Sequence, residues 1–535
     1  YGQNPKDLAY RFQRVAPIAV SPHDPNVVYH GSQFVHRTSD NGVTWETISP
    51  DLTAFEADKQ MASGSPITRD VTGEEVYSTL YSIRESSIAP GVIWTGSNDG
   101  PIHVTRDNGE SWSNVTPRGL PKGGRVDSVE PSYHDPAVAY AAVLRYQLGD
   151  NKPYAYRTSD YGKRWTLMTT GDNGIPADYP VRVVREDPVR PGLLYAGTEH
   201  GLFISFDNGA QWQSFQQNLP VTPVTDIRIF RDDLVVSTMG RAFWVLDDIS
   251  ALRQAPMPIT GDAAQTAVLF EPAKTVRYRD RPSYDSRDPK AIPQYREPSA
   301  ILDYYLPEGV TGPVTLEILD ANGAVVNAFS NDSSVDANER GELIDSMALN
   351  EIRYVKQSSL TSTPGINRFH WDMRYRGPWQ EDEKKRFTDG ALAAAGTYAV
   401  KLSLGEQVLT QALTIVMDPR AARIGVTEAH VAAQLKLQRQ VLELLDQARR
   451  KAHSLEQELE KLAAAGGADD DRRAALESAI SLLVTEEGTY MEPKLISQIS
   501  YLSRMLDQAD QEPGGEALAR YAELQSAYAA VLDSL

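Results

Sequence analysis

Three glutamates stand near the ends of apolar runs in the first half of the chain. Glu85 closes Leu80-Tyr81-Ser82-Ile83-Arg84, Glu130 closes Val126-Asp127-Ser128-Val129, and Glu186 closes Val183-Val184-Arg185. Two carboxylates about 5–5.5 Å or about 6.5–9.5 Å apart can cleave a glycosidic bond between them. Arginines accompany these runs: Arg125, Arg182 and, further on, Arg241. A planar guanidinium suits a substrate carboxylate, which it can grip with two parallel N–H groups. Tyr77, Tyr81, Trp94 and Tyr146 offer ring faces on which a sugar could stack. On this reading Glu85, Glu130 and Glu186 are the catalytic candidates, and Arg125, Arg182, Arg241, Trp94 and Tyr81 bind the ligand. The same charges read equally as ion pairs between neighbouring elements. The sequence holds no zinc-protease helix motif, nucleophile elbow, phosphate loop or dinucleotide fingerprint, so no cofactor and no metal is implied. His23 and His134 occupy equivalent turns, which assigns them a structural role.

The elements that must position these side chains announce themselves by repetition. Four segments share Ser/Thr-x-Asp-x-Gly-x-x-Trp: Thr38 to Trp45, Thr105 to Trp112, Thr158 to Trp165 and Ser205 to Trp212. Their residues are Asp40, Gly42 and Trp45; Asp107, Gly109 and Trp112; Asp160, Gly162 and Trp165; Asp207, Gly209 and Trp212. Successive aspartates are 67, 53 and 47 residues apart, the length of a four-stranded propeller blade with its loops. The physics is local. Asp-x-Gly makes a tight hairpin, the carboxylate and hydroxyl bond main-chain N–H groups, and the indole covers the turn. The boxes are therefore expected to be structural. Turns such as Ser21-Pro22-His23-Asp24-Pro25 and second strands such as Val27-Val28-Tyr29 recur around them. A fifth unit, 224–247, lacks the box and reads as a last blade.

The stretches SPHDPNVVYHGS, REDPVRPGLLYAGTEHGLFISFDNGAQW and GRAFWVLDDIS resemble large exported bacterial Asp-box (BNR) repeat proteins of the sortilin-type or glycosyl-hydrolase-like β-propeller family. The resemblance covers the blades and extends weakly to about residue 420. It implies a protein roughly twice this length, with a signal peptide and further blades ahead, so that this chain is the C-terminal half. Five blades do not easily close a ring, and an open ring exposes strand edges. The expected partner is the N-terminal half of the same protein, or another chain, completing the propeller. Xyloglucanase- and sialidase-like glycoside hydrolases also carry such boxes, away from their catalytic groups, so the box speaks for fold and not for reaction. The sequence leaves two readings open: a binding or scaffold protein engaging protein or glycan partners, and a hydrolase with its site at the propeller mouth. Polysaccharide and peptide are the ligands these imply.

Past the blades, 251–298 reads as a linker, with 273–298 on the surface and rich in Arg277, Arg279, Arg281, Arg287 and Arg296. Alternating runs between 299 and 420, with Asn322-Gly323 at a hairpin, predict an immunoglobulin- or fibronectin-like sandwich of about seven strands. From Thr427 to 535 the chain turns to Ala, Leu, Gln and Glu. The stripe Val431, Leu435, Leu442, Leu445, Ala452, Leu455, Leu459 and Leu462 predicts a helical bundle, or a coiled-coil dimer whose register breaks at Gln438 and Arg449. Leu518, Tyr521, Leu524, Tyr528 and Val531 give the last helix its apolar face. The fold class is mainly β, with blades in 1–250.

Composition bounds the rest. The 535 residues suffice for two to four cores, since one core rarely grows past about 250–300 residues. There is no cysteine, which removes disulfides and thiol chemistry and fits an exported protein in the periplasm, at the outer cell surface or outside the cell. With 72 acidic against 53 basic residues the net charge is −19, and such a surface repels nucleic acid. No apolar run is long enough to cross a membrane as a helix. Asp469-Asp470-Asp471 offers oxygens to calcium, but one run cannot by itself supply the about six to eight converging ligands required.

Overall fold

The computed structural model describes residues 3–62, 64, 76–254, 257–279, 298–331, 359–381, 390–464 and 470–535. The chain divides into two units, Tyr1–Pro258 and Ile259–Leu535.

In the first unit each box makes the same turn. Thr38 Oγ1 donates to Asp40 and accepts from Gly42 N at 2.9 Å, while Asp40 Oδ1 accepts from Thr44 N at 2.9 Å. The other three boxes repeat these bonds around Asp107, Asp160 and Asp207. Asn41, Asn108, Tyr161 and Asn208 and the glycines after them have positive φ. Two successive left-handed residues reverse the chain within the twist of its strands, and glycine adopts that conformation without a Cβ penalty.

The turns join short strands into consecutive antiparallel meanders. The first sheet comprises Ile18–Val20, Val28–Gly31, Val35–Thr38 and Glu46–Thr47. The second comprises Leu80–Glu85, Ile93–Ser97, Ile102–Thr105 and Ser113–Asn114. The third runs through Arg125–Pro131, Ala139–Leu144, Tyr154–Thr158 and Thr166–Leu167, the fourth through Val181–Glu186, Leu194–Thr198, Gly201–Ser205 and Gln213–Ser214. The fifth has three strands, Val224–Phe230, Asp233–Thr238 and Phe243–Leu246.

Each sheet packs on the next, with a separate apolar core between them: Tyr29, Val35, Leu80 and Ile83 between the first two, Trp94, Val104, Val126 and Val129 between the second and third. Two further cores join the third sheet to the fourth and the fourth to the fifth. The approach is close. A Cβ on Gly96 would lie 2.4 Å from Val126 Cγ1, and one on Gly197 2.6 Å from Val224 Cγ1. The result is a propeller-like series of small sheets.

The second unit holds two sheets around one core. Val268–Leu269, Ala300–Leu306 and Gly365–Trp371 form one. Thr275–Val276, Gln407–Val416, Gly396–Leu404, Val314–Leu319 and Val325–Ser330 form the other in that spatial order. Leu302, Tyr304, Phe369 and Trp371 of the first meet Leu316, Ile318, Val400 and Leu413 of the second. Helices follow: α1 (Glu428–Ala464), α2 (Asp470–Leu483), α3 (Leu495–Leu506) and α4 (Gly515–Asp533). Val441, Leu445, Leu476, Ile499, Leu502 and Leu524 bring all four into one core. Gln438, which breaks the heptad, is buried and donates to Ser503 O at 3.0 Å, and Gln434 does the same to Leu506 O. These amides reach carbonyls in the last turn of α3, where the helix runs out of its own N–H donors. Leu518, expected on the packed face of α4, is exposed.

The surface-linker reading of 273–298 fails at its start. Thr275–Val276 pairs in parallel with Gln407–Val416, and Arg277 is only 1% exposed, its charge matched by Asp510 at 2.6 Å. Arg279 pairs with Asp507 and Asp510. Arg281, Arg287 and Arg296 lie outside the described residues.

Candidate functional site

The first strands of successive sheets run side by side, and their register sets which side chains meet. Arg84 lies opposite Trp94, Glu130 opposite Tyr140, Arg185 opposite Tyr195 and Arg228 opposite Val235. These four charges therefore occupy one register position in four consecutive sheets. They form a chain of ion pairs: Arg84 Nε reaches Glu130 at 3.3 Å, Arg185 Nη1 reaches Glu130 at 3.1 Å, and Arg185 Nη2 reaches Asp226 at 2.6 Å. Arg228 stands 3.6 Å from Asp226 and 4.0 Å from Glu130 and is exposed. Three guanidiniums thus share two carboxylates, and Arg228 is the one left facing water.

A second cluster centres three residues earlier on the same strands, at Tyr81, Asp127 and Arg182, and is joined by Arg125 and Glu199. Arg125 pairs with Asp127, Arg182 reaches Asp127 at 3.4 Å and Glu199 at 2.6 Å, and Tyr81 lies beneath the Arg125 guanidinium at 4.6 Å. Arg125, Arg182 and Tyr81 are thus brought together, but as an ion-pair cluster. Tyr77 holds Lys59 over its ring, and Tyr146 is exposed.

The expected convergence of Glu85, Glu130 and Glu186 does not occur. Glu85 and Glu186 sit one residue beyond the register position of Glu130, and neighbouring strand residues point to opposite faces. Each has its own task. Glu85 accepts from Tyr29 OH at 3.2 Å and Gly91 N at 2.8 Å. Glu186 accepts from Tyr140 OH at 3.0 Å, Gly192 N at 3.3 Å and Ser132 Oγ. Both are ties between one sheet's tyrosine and the next sheet's turn. His23 and His134 make a parallel pair of ties, donating from Nε2 to Ser86 O at 2.8 Å and Asp187 O at 2.9 Å.

Trp94 is not a stacking platform: it is wholly buried, edge-on to Trp165 at 6.1 Å. The strand pattern hid this, because Trp94 alternates with residues that are buried as well. Arg241 lies exposed in the turn between Asp233–Thr238 and Phe243–Leu246, outside both ion-pair clusters. Arg228 and Asp226 were missed. The signal was their register, counted from the turn at the end of each first strand.

Asp40, Asp107 and Asp160 are held well below the usual carboxylate range. The Thr44 hydroxyl and amide hold Asp40 at about 2, Ser111 and Thr105 hold Asp107 at about 2, and Arg164 holds Asp160 at about 2. They are anchors with their lone pairs filled. Among the described residues no group of three or more His, Asp or Glu is placed to hold a metal ion. Asp469 lies outside those residues.

No protein family and no curated protein matches the chain. Solved structures resemble it distantly. The GH74 xyloglucanase from Xanthomonas campestris is 16% identical over 48% of this chain and 40% of its own, with a TM-score of 0.34. An ancestral GH74 enzyme is 13% identical over 77% of this chain and 47% of its own, at 0.33. PorZ, a bacterial surface component of the type-IX secretion system of Porphyromonas gingivalis, is 14% identical over 75% of this chain and 51% of its own, at 0.30. The chain thus spans about half or less of the length of each.

Proposed function

We propose that this chain is part of an exported, non-catalytic binding scaffold. Residues 1–250 are β-propeller blades with structural Asp boxes, 251–298 connects, 299–420 is an immunoglobulin- or fibronectin-like sandwich, and 427–535 is a helical bundle. The series of blades is completed by another stretch of polypeptide. A protein or glycan partner carrying a carboxylate meets Arg228, the cation with N–H groups to spare. One observation carries the reading: each carboxylate a hydrolase would need is already bound, Glu130 by guanidiniums and Glu85 and Glu186 by phenol and main-chain donors. Such groups supply neither a free general acid nor a free base. No helix among the described residues is long and apolar enough to cross a membrane.

The test is a hydrolysis screen of the folded chain against xyloglucan, other β-glucans and sialylated glycans. No release of reducing ends or sialic acid is expected. Release proportional to protein concentration would overturn the proposal.

A further inference from the structure

Every box tryptophan after the first is docked on the sheet before it. Trp112 Nε1 donates to Ile48 O at 2.9 Å, Trp165 Nε1 to Val115 O at 2.6 Å, and Trp212 Nε1 to Met168 O at 3.0 Å. The three acceptors hold one place, the residue directly after the fourth strand. The box glycines close on the same residues. A Cβ on Gly109 would lie 2.8 Å from Ile48 O, on Gly162 2.6 Å from Val115 Cβ, and on Gly209 2.8 Å from Met168 Sδ. On the first strands, Ile83, Val129 and Val184 share one register position and are 1%, 0% and 0% exposed. The interface between consecutive sheets is thus built three times from the same parts.

The first sheet carries all of those parts, and among the described residues no other sheet covers them; Trp45 meets only the edge of its own sheet's His30 ring at 6.1 Å. Trp45 is 48% exposed, and among the described residues its indole N–H meets no carbonyl. A Cβ on Gly42 would find nothing nearer than the Trp45 ring at 3.9 Å. Ile18, which pairs with His30 at the register position of Ile83, is 65% exposed, and Val20 beside it is also exposed. Isoleucine and tryptophan so placed leave apolar surface in water that its counterparts bury.

We infer that this face of the first sheet is a docking surface for one more four-stranded antiparallel sheet of the same kind. The residue after its fourth strand gives a main-chain carbonyl to Trp45 Nε1. Its second strand sets a small residue against Ile18, as Gly31 does against Ile83 and Gly96 against Val129 within the chain. A second copy of this chain does not fit. Its trailing sheet, the fifth, ends at Phe243–Leu246 with three strands and, among the described residues, has no fourth to present the carbonyl. The occupant is therefore a sheet from polypeptide other than residues 1–535. The inference deepens the scaffold reading and rests on it only for the kinship of the sheets.

The chain has no cysteine, so Ile18→Cys provides a single thiol at the centre of the face. A copy of residues 76–124, whose Val115 carbonyl already accepts an indole, is fused ahead of Arg14, the position that corresponds to Arg125 at the start of the third sheet. Maleimide labelling under native conditions is the readout, with Tyr490→Cys, fully exposed, as the control thiol. The thiol at position 18 should react at least about tenfold more slowly in the fusion than in the unfused chain, because it labels only when the interface opens. Trp45→Ala in the fusion should restore most of that rate, and the control thiol should not change. Equal rates at position 18 overturn the inference, whether the added sheet is folded or is removed by trypsin. Protection in the unfused chain that disappears on dilution also overturns it, since the occupant is then a second copy. Neither result bears on the hydrolysis screen, so the two readings fail separately.

Discussion

At the scale of single residues, the box turns divide into docked and undocked copies, and substitution should separate them. Gly162→Ala must adopt φ near +81° and also force its Cβ into Val115. The left-handed backbone costs about 1–2 kcal/mol and the overpacking about 1–3 kcal/mol, so a loss of about 2–5 kcal/mol in urea unfolding is expected. Gly42→Ala carries only the backbone cost of about 1–2 kcal/mol, because its Cβ meets open space. Equal losses at both positions would contradict the docking geometry.

His103 gives a pH signature. Burial pushes it down to about 4, against the pull of Asp51 and Asp99. Its neutral form is the one the fold accepts. The stability this contributes is complete above the ordinary histidine range and is lost as pH falls from 6.5 towards 4. His103→Gln should therefore shrink the drop in melting temperature between pH 7 and pH 4.5. Asp40, Asp107 and Asp160 act lower, losing their contribution as pH falls from 3.8 towards 2.

At the scale of elements, charge holds neighbouring strands together where apolar side chains do not. Glu130 lies between Arg84 and Arg185, with its side chain buried. Glu130→Gln leaves two guanidiniums short of a counter-charge, and breaking a buried pair in this way costs about 3–5 kcal/mol. Circular dichroism against urea should show that loss for the first unit. In the second unit Arg277 donates to Ala393 O at 2.9 Å and to Asp510, which ties a strand to the segment after α3. Arg277→Ala should lower the unfolding midpoint by a similar free energy, about 3–5 kcal/mol, while Arg423→Ala, at an exposed position of the same unit, serves as its comparison. A shift no larger than that of the comparison would show the pair to be dispensable.

At the scale of the whole molecule, a net charge of −19 decides which polymers the chain can hold. Phosphate backbones are repelled over about a Debye length, about 10 Å at 0.1 M salt. A labelled duplex should show no mobility shift with micromolar chain at low salt, the condition most favourable to such binding. The exposed apolar residues concentrate instead on the first and fifth sheets of the first unit: Ile18, Val20 and Trp45 on one, Phe230, Phe243 and Val245 on the other. Within the first unit, among the described residues, each of these two packs on one other sheet only, and an unfilled sheet face is where a protein partner gains most.

Local chemistry made much of this legible from the residues alone. The four box turns, the Asn322-Gly323 hairpin, the alternating strands and the amphipathic helices all follow from bonds and periodicities within about ten residues, and they stand where the pattern put them. The fates of Glu85, Trp94 and Arg277 did not follow. Their partners, Tyr29, Trp165 and Asp510, are 56, 71 and 233 residues away in sequence. A carboxylate in a strand looks the same whether it faces a substrate, a guanidinium or a tyrosine of the adjacent sheet. Only the stacking of sheet on sheet, which fixes register and face together, decided that these charges hold the scaffold and that one box tryptophan was left without a carbonyl.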